Sequence, residues 1–140
     1  MSQAWGSPLF NELKRLRMRS REVALIREVF LYCDDEPWVF ARTVIPRSTL
    51  SGKQKHLANL GSRPLGAVLF ADPNMRRDHF EVACMRPGEL LFNHANQLHA
   101  DKPDYIWGRR SAFYLSKKPL LVNEIFLPAI AKCPTPTVKY

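Results

Sequence analysis

The sequence predicts a single α+β domain with a mainly antiparallel sheet and flanking helices. Its 140 residues are 46% hydrophobic, which suits one compact core and excludes a disordered chain. Short runs rich in β-branched and aromatic residues are joined by tight turns, as in β-hairpins. Helical segments cluster between these runs, which favours an α+β fold over a parallel α/β fold.

The N-terminal segment, residues 1–24, is expected to be basic and helical. Residues 8–24 place Leu9, Leu13 and Leu16 at helical spacing and carry several arginines and a lysine between them. Such a run is either a solvated helix face or a surface that binds an anion or nucleic acid. The rest of the domain is expected to hold the sheet.

Five strands and two helices are expected after this segment. The strands lie at 25–33, 38–45, 76–85, 105–116 and 119–128. The first two form a hairpin across the turn at 34–37, and the last two are joined at 117–118. The helices lie at 48–61 and 63–70, a mixed segment lies at 87–104, and residues 129–140 form a surface tail.

Charge and targeting signals narrow the range of partners. Lys and Arg total 21 against 13 Asp and Glu, a net charge of +8 that suits a small dianion, nucleic acid or a membrane surface. No known nucleic-acid-binding motif accompanies this charge. No apolar run approaches the roughly 18 residues of a membrane span. The N-terminus lacks the order of a signal peptide, so we predict a cytoplasmic protein.

Metal and cofactor motifs are also missing from the sequence. The three cysteines contain no CxxC pair, and the four histidines match no recognised ligand spacing. There is neither a GxSxG nucleophile turn nor a complete phosphate-binding loop. We therefore expect no metal and no organic cofactor.

Charged side chains on otherwise apolar strand faces are the most informative feature. Because side chains at i and i+2 share a face, Arg27 lies on the same face as Val29. The same alternation places Arg42, Arg109 and Glu124 on apolar faces of their own strands. Either these charges pair internally, as Arg27 with Glu124, or the strands turn their other faces to the core. In a third reading the arginines line a pocket that binds an anion, where guanidinium matches a carboxylate bidentately.

Four stretches of the chain resemble one known family. They are IREVFLYCDDEPWVFARTVIPRSTLSG (26–52), LGSRPLGAVLF (60–70), RRDHFEVA (76–83) and WGRRSAFYLSKKPLLVNEIFLP (107–128). Taken in this order, they resemble the chorismate lyases, also called chorismate pyruvate-lyases. The resemblance implies an α+β domain with a buried ligand cavity. It implies cleavage of chorismate to 4-hydroxybenzoate and pyruvate, the first step toward the ubiquinone ring, without metal or cofactor.

The resemblance also implies which residues bind the substrate. The family's ligand arginine matches Arg27, its contacting leucine matches Leu65, and its glutamate matches Glu124. Arg27 and Glu124 are the expected catalytic residues: Arg27 binds the ring carboxylate, and Glu124 hydrogen-bonds the 4-hydroxyl as a carboxylate or as an acid. From strand alternation we add Arg42, either for the enolpyruvyl carboxylate or as support for Glu124.

Two further expectations accompany this resemblance. Family members carry helices and a strand before the first hairpin, whereas residues 1–24 precede it here, so we expect that strand to be missing and the cavity to have a thinner cover. We expect a monomer whose partners are chorismate and 4-hydroxybenzoate rather than nucleic acid. The alternative to an enzyme is an effector-sensing domain of the same fold, which binds a small molecule without converting it.

Overall fold

The computed structural model describes residues 1–132 and contains a six-stranded antiparallel sheet in the order β1-β2-β3-β6-β5-β4. The strands are β1 Ser2–Gly6, β2 Ala24–Cys33, β3 Glu36–Pro46, β4 Met75–Met85, β5 Ile106–Leu115 and β6 Lys118–Phe126. The helices are α1 Phe10–Leu16, α2 Leu65–Ala71 and α3 Leu90–Ala95. Three 3-10 segments lie at Arg47–Leu50, Gly52–Asn59 and Pro128–Lys132. The predicted α+β fold class is confirmed.

Helices cover both faces of the sheet, and each face has its own core. On the α2 face, Leu57 and Leu69 pack against Leu25, Ile45 and Phe113 of the strands. On the opposite α1 face, the cores contain side chains of α1, α3 and strands β2 to β6, namely Leu16, Ala24, Val44, Leu121, Phe40, Phe92 and Ile125. Both faces are therefore apolar, and a charged side chain on either face needs a partner.

The β2–β3 hairpin contains an irregularity that sets the register of the sheet. Its turn residues Asp34 and Asp35 both have positive φ angles, 48° and 65°, which Asp tolerates better than most residues. The register then shifts between Tyr32 and Leu31, because Trp38 is an extra residue on β3. Beyond this bulge, the register places side chains one position away from where a regular hairpin would place them.

The predicted strands after residue 24 are all present, but the N-terminal prediction is wrong. Instead of one helix over 8–24, the chain forms α1 over Phe10–Leu16, which Arg17 ends in the left-handed conformation. The strand expected to be missing exists: β1 pairs with β2, with Gln3 opposite Arg27. Four of its five residues are exposed, so the backbone hydrogen bonds to β2 hold it rather than an apolar face.

Smaller differences concern turns and helix type. The helix predicted at 48–61 is two 3-10 segments, separated at Ser51 because Gly52 takes a φ of +63°. The β5–β6 turn lies at Ser116 and Lys117, one residue earlier than predicted. In the predicted tail, Ala129 is buried in the last 3-10 segment, while residues 133–140 lie outside the described residues. No helix within residues 1–132 is long and apolar enough to cross a membrane.

Candidate active site

A cavity of about 410 Å³ lies between the α2 face of the sheet and helix α2. Strands β2, β3, β4, β5 and β6 all contribute to its wall, and most of the wall is apolar. Its volume falls within the range of sites that enclose a small molecule. The polar side chains in the wall are Arg27, Thr43, Ser62, Arg77 and Glu124.

Arg27 is a buried cation that has no carboxylate partner among residues 1–132. Its side chain donates to two backbone carbonyls, Nη1 to Gly61 O at 2.8 Å and Nη2 to Arg63 O at 3.2 Å. None of the ion pairs among residues 1–132 includes it, and burial lowers the pKa of its guanidinium. These carbonyls fix the guanidinium in the cavity wall and leave other N–H groups for an anion.

Glu124 lies on β6 in the same cavity and is paired with Arg109 on β5. Arg109 donates bidentately, with Nε to Oε1 at 3.0 Å and Nη2 to Oε2 at 3.3 Å. The two residues lie directly opposite each other in the β5–β6 ladder. The alternative in which Arg27 pairs with Glu124 is therefore wrong. The two hydrogen bonds from Arg109 leave lone pairs on the Glu124 carboxylate that can accept a hydrogen bond from a hydroxyl.

Leu65 closes the cavity from the other side. It is the first residue of α2, follows Pro64, and is half-buried. The first N–H groups of a helix have no acceptor within that helix. The chain therefore presents both an apolar side chain and backbone donors at this end of the cavity.

The prediction that Arg42 faces the ligand is wrong, because Arg42 lies on the α1 face. It is bound there by Glu12, with Nε to Oε2 and Nη2 to Oε1 both at 3.0 Å, and by Glu28 through Nη1 at 3.3 Å. Asn123 donates to the same Glu12 carboxylate at 2.9 Å. Burial acts to lower the pKa of Arg42, but Glu12 and Glu28 together raise it above its ordinary value.

Arg77 is a cavity residue that strand alternation did not identify. Its Nη2 donates to Ser111 Oγ at 3.0 Å, and its guanidinium lies 5.4 Å from the centre of the Phe113 ring. The register of β4 shifts between Arg77 and Phe80, so the alternating pattern of this strand is broken where Arg77 lies. The only sequence signal was its place in the RRDHFEVA stretch. Within residues 1–132, no group of three His, Cys, Asp or Glu side chains has an arrangement that could hold a metal ion.

Comparison with known proteins assigns the family. The sequence profile of chorismate lyase matches residues 1–133. The chain belongs to the chorismate lyase family. A probable chorismate pyruvate-lyase of Psychromonas ingrahamii is 46% identical over 123 residues, 88% of this chain and 62% of that protein. One from Aromatoleum aromaticum is 40% identical over 137 residues, 96% of this chain and 74% of that protein. The matched regions thus span 62% and 74% of these relatives' own lengths.

Solved structures give the same architecture for this chorismate lyase family member. A GntR-family transcriptional regulator from Bacillus cereus has a TM-score of 0.66 with 10% identity, over 100% of this chain and 95% of that chain. At this identity the similarity concerns the fold alone. It agrees with the six-stranded α+β architecture described above.

Proposed function

We propose that this chain catalyses the chorismate pyruvate-lyase reaction, which converts chorismate to 4-hydroxybenzoate and pyruvate. The observation that supports the proposal is a single cavity with two buried charged groups. One is Arg27, which has no carboxylate partner in the described part of the chain, and the other is Glu124. The names of the relatives support the same reaction.

The reaction needs little base catalysis because its product is aromatic. The bond between ring C3 and the enolpyruvyl oxygen breaks, and the oxygen keeps the electron pair. The C4 proton leaves, and the ring becomes aromatic. One proton added to the enolpyruvate methylene carbon gives pyruvate, so atoms and electrons balance. The protein must bind a reactive conformer, exclude water and neutralise developing charge.

We assign roles from the positions of the polar groups. Arg27 binds the ring carboxylate, since its guanidinium is fixed by Gly61 and Arg63 and has donors left. Glu124 accepts the hydrogen bond of the 4-hydroxyl. Leu65 contacts the ring and offers backbone N–H groups at the start of α2. Phe113 supplies an apolar wall for the ring.

We also propose the setting of the reaction. It takes place in the cytoplasm as the first step toward the ubiquinone ring, on a monomer that needs no metal or organic cofactor. Chorismate and 4-hydroxybenzoate are its small-molecule partners, and nucleic acid is not one. These points rest on the family and on the absence of corresponding sequence signals.

A direct assay separates the lyase from an effector-sensing domain. The purified chain is incubated with chorismate, and 4-hydroxybenzoate is followed by its ultraviolet absorbance, with and without EDTA. We expect product to form at the same rate in both samples. Tight binding of 4-hydroxybenzoate without any turnover would favour the sensing domain, and activity that is lost in EDTA and restored by Zn²⁺ or Mg²⁺ would contradict the cofactor proposal.

A further inference from the structure

The substrate has a second carboxylate, and the cavity has a second arginine. Chorismate carries one carboxylate on the ring and one on the enolpyruvyl group, whereas 4-hydroxybenzoate carries only the first. Arg42 cannot serve the enolpyruvyl carboxylate, because it lies on the other face of the sheet and is bound by Glu12 and Glu28. Among the lining residues within 1–132, Arg77 on β4 carries the second guanidinium.

The geometry of Arg77 suits an anion-binding group. Although the residue as a whole is exposed, its guanidinium is turned toward β5 by the Ser111 hydroxyl and by the Phe113 ring. Ser111 is fully buried, so this anchor is rigid. Within residues 1–132 Ser111 is the only hydrogen-bond acceptor of this guanidinium, so its other N–H groups are available to a ligand.

The order of the polar groups across the sheet matches their order along chorismate. Arg27 lies on β2, Glu124 on β6 and Arg77 on β4, and β6 lies midway between β2 and β4 in the sheet. Along chorismate, the ring carboxylate comes first, the 4-hydroxyl and the neighbouring C3 oxygen follow, and the enolpyruvyl carboxylate comes last. Because Arg109 neutralises Glu124, Arg27 and Arg77 leave two positive charges for a dianion.

We propose that Arg77 binds the enolpyruvyl carboxylate of chorismate and thereby distinguishes the substrate from its aromatic product. This inference rests on the proposed function. In this proposal Arg27 and Glu124 bind both chorismate and 4-hydroxybenzoate. Arg77 binds only chorismate and, after cleavage, the pyruvate product. Arg77 also borders a surface depression formed with Asp78, His79 and Phe80.

The test compares two ligands and two variants of adjacent arginines. Arg77→Ala is expected to lower kcat/KM for chorismate by about 10- to 100-fold, the effect of losing a charge-assisted contact. Its dissociation constant for 4-hydroxybenzoate, measured by calorimetry, is expected to stay within about threefold of wild type. Arg76→Ala is the matched control, because it removes the same charge from the same strand while its side chain stacks on Tyr114 of the α1 face. We expect wild-type kinetics from it.

The outcomes separate this inference from the proposed function. If wild type converts chorismate and Arg77→Ala does so with kcat/KM within threefold, Arg77 has no role in binding. If Arg77→Ala weakens the binding of chorismate and of 4-hydroxybenzoate equally, its effect is structural and the proposal is overturned. Partial recovery of kcat/KM in Arg77→Lys supports the proposal.

If wild type binds chorismate without converting it, the dissociation constants of chorismate and 4-hydroxybenzoate are compared instead: a loss confined to chorismate in Arg77→Ala supports the proposal, and an equal loss overturns it. If wild type neither binds nor converts, the proposed function fails and the Arg77 assignment falls with it.

Discussion

Two buried arginines on opposite faces of one sheet show how the same side chain can serve the fold or a ligand. Arg27 and Arg42 are 6% and 5% exposed, so their burial is nearly equal. Arg42 on the α1 face is enclosed by the carboxylates of Glu12 and Glu28. Within residues 1–132, Arg27 on the α2 face donates to two carbonyl oxygens and to no carboxylate, and it lines a cavity. A buried cation with permanent counter-charges belongs to the structure, and one without them marks a site for an anion.

The pKa directions of the two arginines express the same difference. Burial lowers the pKa of Arg27, and no carboxylate opposes this effect. At Arg42 burial is again the largest influence, yet Glu12 and Glu28 outweigh it and raise the pKa. Both side chains stay protonated at neutral pH. Below its folded-state pKa the charged Arg27 therefore opposes folding, and a bound carboxylate offsets that cost.

The largest expected effect comes from breaking the α1-face cluster. Arg42→Ala leaves the fully buried Glu12 without its guanidinium, which costs about 3–5 kcal/mol of folding free energy. Urea unfolding followed by circular dichroism measures this loss. Arg76→Ala, which removes the same charge from an exposed position, serves as the control. A loss below about 1 kcal/mol in Arg42→Ala would mean that the cluster does not hold the fold.

Arg27→Ala should show the opposite profile. Affinity for 4-hydroxybenzoate is expected to fall by about 10- to 100-fold, because the ring carboxylate loses a bidentate partner. Folding free energy is expected to change by less than about 1 kcal/mol, since no buried carboxylate is left unpaired. Calorimetry and urea unfolding on one preparation give both numbers. Near-normal affinity together with a large stability loss would mean that Arg27, like Arg42, stabilises the fold and does not bind the ligand.

Gly108→Ala tests whether the two faces can be perturbed independently. An added Cβ would lie 2.8 Å from Ile125 Cδ1 and Met85 Cε on the α1 face and 2.9 Å from the backbone oxygen of Glu124. Because the Glu124 backbone must shift, we expect a stability loss of about 1–3 kcal/mol together with weaker 4-hydroxybenzoate binding. Stability loss with unchanged affinity would show that β6 absorbs the strain without moving the Glu124 carboxylate.

The smallest expected effect concerns an exposed ion-pair network. Arg110 and Arg15 hydrogen-bond Glu81 and lower the pKa of its carboxyl. Glu81 therefore stabilises the fold above its ordinary pKa, and this contribution disappears as the pH falls through the lowered value. Since its side chain is 50% exposed, Glu81→Gln should cost roughly 0.5 kcal/mol at pH 7 and nothing near pH 2. Urea unfolding at the two pH values measures the difference, with Asp101→Asn as the control.

The fold was more predictable than the membership of the site, and the bulge at Trp38 explains why. Strands and hairpins can be recognised from local composition, so five strands were predicted correctly from the sequence. With a regular hairpin, Cys33 opposite Glu36 would place Arg27 opposite Arg42, on a shared face. Because of the extra residue Trp38, Arg27 pairs with Thr43 instead of Arg42. Arg42 therefore lies on the opposite face of the sheet from Arg27. Since both faces are apolar, the pattern within β3 contains no sign of this shift.

Two other features lay beyond what local patterns reveal. Strand β1 has almost no buried side chains, so its place depends on pairing with β2 rather than on its own sequence. The ion pair of Glu124 with Arg109 is a cross-strand contact that needs the β5–β6 register. Strand alternation singled out Arg27 and Glu124, and the family resemblance added Leu65, which lies on a helix that alternation does not describe. All three line the same cavity.

The strand order has a consequence for how the chain folds. Strands β1 to β3 and strands β4 to β6 are each joined by sequential pairing, and β3 with β6 is the contact that unites the two halves. Asn123 of β6 donates a hydrogen bond to the backbone carbonyl of Arg42 of β3, and the two residues are 81 positions apart. Because this pairing joins distant parts of the chain, we expect the β3–β6 contact to form slowly. Arg27 comes from one half and Glu124 from the other, so the cavity exists only after closure. We therefore expect 4-hydroxybenzoate to slow the unfolding limb of a chevron plot and to leave the refolding limb unchanged.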